Sequence, residues 1–367
     1  MKAAFLTAVR KIEIREVPPP AIVRPDDVLL RVATVGVCGS DMHYYRNGRI
    51  GSQVIEFPWV VGHECAGMVE RVGPEVRDLR AGDRVAVDPL IACGRCDQCL
   101  GGRENTCRKQ KFLGSPGQTP GAMSEFLVMP ERCCFPIPAN VTFQQATLVE
   151  PFAIGLYAQR LAGSLGGSRA ENRGQTPISQ TKSVSVPDFP SVAILGAGPI
   201  GLSVLAALKA AGQGDVHVTD LREYRLDLAR KFGATWTGDP HRPEVKAALA
   251  ALAVPGFDFV FECAGEQETL DQAVELLAPG GKLMIAGIPE GDRVCFSPDL
   301  MRRKELGFQN VRRQNGCTRD AIDMVVAGKV RLDAMVTHQF PLAQAAEAFE
   351  LVADYRDGVV KAMIQNP

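Results

Sequence analysis

Metal-ligand side chains occur in two short segments near the start of the chain. The run VVGHECAG carries His63 and Glu64, and the earlier segment GVCGSDMHYY carries Cys38. A thiolate, an imidazole and a carboxylate are a ligand set that leaves a fourth position open on catalytic zinc. The carboxylate could be Glu64 or Glu150 of the later LVEP segment. Either early segment alone would more often be structural, since a histidine beside a glutamate usually forms a hydrogen-bonded core pair.

Four further cysteines lie within fifteen residues, in CGRCDQCLGGRENTC. The first three cysteines are closely spaced and the fourth follows after a longer interval, which allows one loop to bring four thiolates together, as in closed structural zinc sites. An iron–sulfur cluster also takes four thiolates and is the alternative. Without a secretory signal, disulfides are a weaker interpretation of eleven cysteines. We predict structural zinc on Cys93, Cys96, Cys99 and Cys107.

A glycine-rich turn indicates a dinucleotide site. VAILGAGPIGLSVLAALKAAG places Gly196, Gly198 and Gly201 in the G-x-G-x-x-G spacing, after an apolar strand and at the start of a helix. In that context the glycines allow a tight turn and close approach of a pyrophosphate, whose charge the helix N-terminus stabilises. A glycine turn in a nucleotide-free α/β domain is the alternative.

The residue after the next strand bears on which cofactor binds. Asp220 lies near the end of VHVTDL, about 20 residues on, where an acid binds the ribose hydroxyls of NAD and repels a 2′-phosphate. We therefore predict NAD over NADP, although Arg222 or Arg225 could accommodate a phosphate. The predicted cofactor contacts are Gly196, Gly198, Pro199, Ile200, Gly201, Asp220, Arg225, Gly265, Gly287 and Ile288.

Two domains are expected to position these residues, since 367 residues exceed the roughly 100–200 typical of one domain. Residues 1–152 are rich in short strand-like runs separated by Gly, Pro and Asp, which predicts an antiparallel, barrel-like domain. From residue 191 apolar strands alternate with helical stretches, which predicts a parallel sheet covered by helices. The polar, Gly/Ser/Pro-rich stretch 162–190 is expected to be a flexible surface insertion.

Composition excludes several other functions. A net charge of -1 and the lack of basic runs give no reason to expect a nucleic-acid or membrane-surface partner. The apolar stretch at the start is too short for a secretory signal. The longest apolar stretch, 191–212, contains the glycine turn and is interpreted as strand, turn and helix rather than a membrane span. We expect a soluble cytoplasmic protein.

Taken together, these motifs resemble those of the medium-chain zinc-dependent alcohol dehydrogenases, and most closely the polyol (sorbitol, xylitol, L-iditol) dehydrogenases. The resemblance covers nearly the whole length through CGSDMHYY, GHECAG, the four-cysteine loop, VTFQQATLVEP, GAGPIG and VTHQFPLAQAAEAFE. It implies an α/β fold with a GroES-like β-rich catalytic domain, 1–152 completed by 300–367, and a Rossmann doubly wound parallel-sheet domain, 153–299. It also implies a homotetramer or, less often, a homodimer.

The resemblance assigns roles by motif. Cys38, His63 and Glu64 fall on the catalytic zinc ligands, and Glu150 is a nearby carboxylate that could ligate the metal or hold its water. Asp41 would orient the ligand histidine, while Ser40 and His43 would relay the alcohol proton. Zinc would acidify the alcohol and the cofactor would accept a hydride. The implied substrate residues are Tyr44, Phe112, Ser115, Glu150, Arg313 and Gln314.

Two alternatives to a polyol dehydrogenase remain open. One is a zinc dehydrogenase of the same family that acts on L-threonine or 2,3-butanediol. The other is a catalytically silent NAD(H)-binding structural or sensor protein. The complete Cys38, His63 and Glu64 set argues against the silent protein, and zinc content would separate the two, since the enzyme needs a second metal.

Overall fold

The computed structural model describes residues 1–171, 190–252 and 256–366, which divide into two compact units. The first unit comprises Met1–Ala153, Glu290–Asp292 and Arg312–Pro367, and the second comprises Ile154–Pro289 and Arg293–Val311. The sequence predicted a return to the first unit at residue 300. The return comes at Arg312 instead, because 307–310 form a strand of the second unit's sheet.

In chain order the strands are β1 (Lys2–Ala8), β2 (Lys11–Glu16), β3 (Asp27–Gly36), β4 (Arg49–Ile50), β5 (Gln53–Val54), β6 (Glu64–Val72), β7 (Arg84–Val87), β8 (Leu90–Ile91), β9 (Lys111–Phe112), β10 (Phe126–Pro130), β11 (Cys134–Pro136), β12 (Val192–Leu195), β13 (Val216–Thr219), β14 (Trp236–Gly238), β15 (Phe257–Glu262), β16 (Leu277–Ile285), β17 (Gly307–Asn310), β18 (Val336–Pro341) and β19 (Lys361–Gln365). The helices are α1 (Gly39–Asn47), α2 (Asp97–Leu100), α3 (Phe143–Glu171), α4 (Pro199–Ala210), α5 (Glu223–Lys231), α6 (Pro243–Leu252), α7 (Gln267–Leu276), α8 (Pro298–Lys304), α9 (Thr318–Val326) and α10 (Ala345–Ala353).

The first unit is organised around a seven-stranded sheet in the order β11-β7-β6-β3-β19-β18, with β10 also paired to β3. The sequence of β3, DVLLRVATVG, is buried along nearly its whole length because strands pair with it on both sides. Its pairs are antiparallel, as predicted, whereas β18 and β19 pair in parallel. The C-terminal strand β19 therefore lies beside β3 at the centre of the sheet.

The second unit contains a six-stranded parallel sheet in the order β14-β13-β12-β15-β16-β17. The central strand β12 is four consecutive buried apolar residues, as expected for a strand covered on both faces. The chain passes from β12 to β13 on one side and later places β15 on the other. The strand order thus reverses between β12 and β15, and ligands of open parallel sheets bind at such a switch point.

Part of the predicted insertion is helical. Helix α3 continues to Glu171, so residues 162–171 belong to it, although their Gly/Ser content favoured a loop. Residues 172–189 lie outside the described part of the chain. Among the helices that the structure describes, none combines the length and apolar character needed to cross a membrane.

Candidate metal, cofactor and substrate sites

The four-cysteine loop brings its sulfurs together around the short helix α2. The Sγ–Sγ distances are 3.5 Å for Cys96–Cys99, 3.9 Å for Cys96–Cys107 and 4.0 Å for Cys93–Cys99. A regular tetrahedron with Zn–S bonds of about 2.3 Å has edges of about 3.8 Å. Backbone N–H groups of Cys99 and Arg108 lower the pKa of Cys96 to about 6. The spacing of the four sulfurs therefore fits a structural zinc.

A second group assembles Cys38, His63 and Glu64, whose ligand atoms lie within 4.8 Å of one another. Cys38 caps helix α1 in extended conformation, and Glu64 begins β6, where it pairs with Gly36 of β3. A side chain at Gly36 would overlap the Glu64 carboxylate, so glycine is required there. The group thus combines a helix start with a strand start and offers one sulfur, one nitrogen and one oxygen ligand.

The carboxylate of Asp41 contacts two of the segments that form this group. Its carboxylate accepts the backbone N–H groups of Cys38 at 3.2 Å and Gly62 at 3.3 Å, and it lies 3.5 Å from Nδ1 of His63. Burial opposes protonation of His63, but the charges of Asp41 and Cys38 outweigh it and raise the pKa of the imidazole well above its usual value. These surroundings favour positive charge, which a divalent cation would supply, and they leave Nε2 for a metal.

Sequence reasoning missed Lys361, which lies in β19 and is 1% exposed. Its ammonium donates to both oxygens of Glu64 at 2.8 Å and to the carbonyl of Val37 at 3.1 Å. The charge of Glu64 outweighs the effect of burial and keeps the pKa of Lys361 raised. No local motif could reveal this pair, because 297 residues separate its members.

Glu150 lies on α3 and is 7% exposed. Burial raises the pKa of its carboxyl to about 7, and the charge of His63 acts in the opposite direction. Its Oε2 is buried without a hydrogen-bond partner in the described part of the chain. Glu150 does not join the close group of Cys38, His63 and Glu64. It is therefore an acceptor beside that group that still lacks a donor or a cation.

The two predicted relay residues lie on α1. The Ser40 hydroxyl donates to Sγ of Cys38 at 3.4 Å, which places it against the metal-ligand group. His43 is half-buried, and burial lowers its pKa, with Glu290 acting to raise it and Arg46 to lower it. Its imidazole is therefore neutral at pH 7 and able to accept a proton.

Four of the predicted substrate residues lie near this group or near one another. The ring of Phe112 lies 5.3 Å from that of His63, and the guanidinium of Arg313 stacks 3.5 Å from the centre of Phe112. Burial raises the pKa of Tyr44 to about 12, so the phenol keeps its proton, which it donates to Gln53 at 2.8 Å. The buried hydroxyl of Ser115 also interacts with Tyr44. These groups place several hydrogen-bonding side chains beside the metal-ligand group.

Gln314, also a predicted substrate residue, makes hydrogen bonds to Asp88 and Cys317. Its Nε2 donates to Asp88 at 2.6 Å, and its Oε1 accepts the backbone N–H of Cys317 at 2.8 Å. Thr318 donates to the same Asp88 oxygen at 2.9 Å. One N–H and the oxygen of the amide thus help to fix the chain after Arg313, and the second N–H remains a donor.

The glycine turn of the second unit has the geometry expected for a pyrophosphate. Gly196 adopts φ 99°, and a side chain at Gly201 would overlap the carbonyl of Gly196. Helix α4 begins at Pro199, followed by Ile200, and Gly198 caps it in extended conformation. The start of α4 thus follows the end of β12 after a short glycine turn, which is where a helix N-terminus can bind an anion.

Asp220 follows β13 beside this turn. One oxygen accepts the N–H of Ala197 at 2.8 Å, and the other accepts the N–H of Arg222 at 2.9 Å. The guanidinium of Arg225 lies 3.7 Å from the carboxylate. Each carboxylate oxygen can accept a further bond, so the acid is fixed in place and remains able to bind ribose hydroxyls.

The remaining predicted cofactor residues lie at the ends of β15 and β16. Gly265 has φ 80°, and a side chain there would meet the carbonyl of Ile288 at 2.5 Å. A side chain at Gly287 would in turn overlap the backbone of Gly265. Two loops therefore approach each other closely next to the switch point, with Ile288 44% exposed.

The fold and these sites define a zinc-dependent, dinucleotide-binding dehydrogenase, and comparisons with known proteins agree. Residues 24–139 match the alcohol dehydrogenase GroES-like domain, and residues 199–327 match the zinc-binding dehydrogenase domain. Sorbitol dehydrogenase of Bacillus subtilis (strain 168) is 34% identical over 99% of this chain and 97% of its own length. The chain belongs to the medium-chain zinc-dependent alcohol dehydrogenases.

Two solved structures with bound cofactor share the fold. A zinc-binding dehydrogenase from Sinorhizobium meliloti 1021, bound to NADP, is 30% identical with a TM-score of 0.83, covering 99% of this chain and 98% of that one. A short chain alcohol dehydrogenase from Escherichia coli CFT073, complexed with NADH, is 27% identical with a TM-score of 0.82, covering 100% and 99%. The predicted fold class, the enzyme class and the need for zinc and a nicotinamide cofactor are confirmed. The individual site residues remain predictions.

Proposed function

We propose that this protein oxidises a secondary hydroxyl of a polyol to a ketone and transfers the hydride to NAD. The observation that carries the proposal is that Phe112 lies against both His63 and Arg313, while Tyr44, which interacts with Ser115, lies on the same helix as Ser40. A site built to bond several hydroxyls discriminates strongly against alcohols that lack them. The similarity to a sorbitol dehydrogenase supports the same substrate class.

Zinc, when bound by Cys38, His63 and Glu64, supplies the Lewis acidity that promotes loss of the hydroxyl proton, and NAD accepts the hydride. Asp41 holds His63 in the tautomer that leaves Nε2 free, while Lys361 balances the charge of Glu64. Glu150 offers its unpartnered oxygen to a donor at the reacting centre.

The chain's own hydroxyl and imidazole groups would carry the proton away. Ser40 lies against Cys38 and would accept the substrate proton at its Oγ. His43, neutral at pH 7 because burial lowers its pKa, would take up the proton and release it to solvent. Arg313 would donate to the hydroxyls beyond the reacting carbon, and the phenol oxygen of Tyr44, whose proton is donated to Gln53, would accept from one of them and so help to orient the substrate.

The preference for NAD rests on Asp220, whose carboxylate is fixed beside the glycine turn. A 2′-phosphate would meet this negative charge, although the nearby guanidinium of Arg225 partly offsets it. We also propose a homotetramer or homodimer located in the cytoplasm, on the strength of the family resemblance. Light scattering of the purified protein would measure the oligomer directly.

A substrate panel tests the proposal. Initial rates of NAD or NADP reduction would be measured with sorbitol, xylitol, 2,3-butanediol and L-threonine. We expect polyols with NAD to give the highest kcat/KM. Arg313→Ala should lower kcat/KM for sorbitol by about 100-fold and that for 2-propanol by far less, since only the polyol has distal hydroxyls. Preference for threonine, butanediol or the simple alcohol would contradict the proposal.

A further inference from the structure

The last residue of β15, Glu262, is 0% exposed and belongs to neither metal-ligand group. Its Oε1 accepts three hydrogen bonds, from the N–H groups of Ala264 at 2.8 Å and Gly265 at 2.7 Å and from the hydroxyl of Thr269 at 2.8 Å. Burial raises the pKa of the carboxyl, and these three donors act in the opposite direction. One oxygen thus anchors the turn that leads from β15 into α7.

The backbone and the second carboxylate oxygen of Glu262 contact the loop after β16. The backbone carbonyl accepts the N–H groups of Ala286 at 2.8 Å and Gly287 at 3.0 Å. A Cβ at Gly287 would lie 2.5 Å from Oε2, so only glycine fits beside the carboxylate. Oε2 itself has no hydrogen-bond partner among the residues that the structure describes. Glu262 therefore holds the loop after β15 through its side chain and the loop after β16 through its main chain.

The loop after β15 also packs against the glycine turn. A Cβ at Gly196 would lie 3.0 Å from the nitrogen of Ala264 and 3.2 Å from the carbonyl carbon of Cys263. Leu195, which precedes the turn, is the register partner of Glu262 across the strand pair β12 and β15. The ends of β12, β15 and β16 therefore meet around Glu262, at the place where the strand order reverses.

The position of Glu262 indicates which half of the cofactor it serves. A doubly wound sheet receives one nucleotide over each of its halves. Asp220, the predicted partner of the adenosine ribose, follows β13, so the nicotinamide half belongs over the ends of β15 and β16. The predicted cofactor residues Gly265, Gly287 and Ile288 lie in the two loops that Glu262 holds. Glu262 thus sets the spacing of the loops that receive the nicotinamide half.

We propose that Glu262 is a positioning residue for the cofactor: by fixing loops 263–265 and 286–288, it gives them the spacing that admits the nicotinamide half. It acts without touching the cofactor, since it is completely buried. Loss of its acceptors would leave three donors unsatisfied and let the turn move, which lowers the fraction of molecules ready to bind and so weakens affinity. This inference goes beyond the proposed polyol oxidation, since it requires only that a nicotinamide cofactor binds.

The test measures the Kd of NADH by its fluorescence, in the zinc-loaded, full-length protein and in two variants of Glu262. Glu262→Met keeps the size of the side chain and removes its acceptors, and it should weaken NADH binding by about 30-fold. Glu262→Gln keeps an oxygen for the three donors and should lose no more than about threefold. The KM for the alcohol at saturating NAD should change little in either variant, because the predicted substrate residues lie in the first unit.

Thr269→Val removes a single donor and tests the hydrogen bonds even where Glu262→Met fails to fold. We expect the Kd of NADH to rise by about five- to tenfold in Thr269→Val and to stay near the wild-type value in Thr269→Ser, which restores a hydroxyl. Glu266→Gln is the matched control, because it changes an exposed glutamate four residues further on whose side chain does not cap α7. It should bind NADH as the wild type does.

Unfolding temperatures separate a positioning role from a purely structural one. A structural role would lower the Tm of the cofactor-free protein and leave the NADH affinity of the folded protein unchanged, whereas a positioning role reduces the stabilisation that added NADH provides. Wild-type affinity in both Glu262→Met and Thr269→Val, or equal losses in Glu262→Met and Glu262→Gln, would overturn the inference. If no polyol reduces NAD while the variants keep the expected order of NADH affinity, the proposed function has failed and the positioning role stands.

Discussion

The two cysteine-containing metal sites of the first unit are built in opposite ways. The four-cysteine site draws all its ligands from 93–107, and backbone N–H groups of the same loop stabilise the thiolate of Cys96. The other site, called the mixed site below, takes Cys38 from the start of a helix and His63 and Glu64 from the start of a strand. Lys361 of the C-terminal strand balances the charge of Glu64.

This difference in construction matches a difference in use. Four thiolates close the shell of a metal, which suits a structural role. Three protein ligands leave a fourth position on a zinc open, and the first unit also offers an unpartnered carboxylate oxygen on Glu150 and hydroxyls on Ser40 and Tyr44. A locally built site stabilises a loop, whereas a site assembled from distant segments can bring several chemical groups to one substrate.

The largest effect is expected from substitutions that disrupt the mixed site alone. Cys38→Ser or His63→Ala should lower turnover by about a thousandfold or more, since the Lewis acid contributes several kcal/mol to the barrier. Zinc per chain, measured by atomic emission, should fall by one while the other remains. Cys96→Ser is the matched control, which should first reduce the unfolding temperature, because structural zinc contributes folding free energy. Full activity of metal-stripped protein would show that the mixed site needs no metal.

The same contrast explains how much the sequence could predict. Two sites could be recognised from short sequence segments. One is the four-cysteine site, whose ligands lie within fifteen residues, and the other is the turn with Gly196 and Gly201 after an apolar strand. Lys361 lies in the ordinary strand sequence KAMIQ, and only the pairing of β19 with β3 brings it to Glu64. For Gln314, spacing indicates neighbourhood but not which partner an amide selects; the structure shows a hydrogen bond to Asp88, and a contact with the substrate stays a prediction.

The next prediction concerns the ion pair of Glu64 and Lys361, whose members lie far apart in the sequence. Lys361→Met should leave Glu64 as an uncompensated buried charge and destabilise the protein by about 3–5 kcal/mol, measured by urea denaturation. Lys361→Arg keeps the charge and should lose less. The double variant Glu64→Gln with Lys361→Met should recover part of the stability, because neither charge remains. A single variant as stable as the wild type would show that the pair contributes little.

The smallest expected effect concerns pH. Burial lowers the pKa of His43 below its usual value of 6.5, and the relay needs the neutral imidazole. Activity should therefore be full at pH 7 and fall as pH drops through that lowered pKa. His43→Gln should slow kcat by about 10–100-fold, since one proton-transfer group is lost, and should abolish the acid limb of the profile.

The carboxyl of Glu150 also titrates in this range, with a pKa of about 7, so the pH profile needs a second variant. If the acid limb persists unchanged in His43→Gln but disappears in Glu150→Gln, the proton leaves through the carboxylate instead of the imidazole. Loss of the limb in His43→Gln alone supports the relay on α1. Either result also locates the group of the mixed site that senses pH, whereas the four-cysteine site should leave the profile unaffected, because its ligands lie in a separate loop.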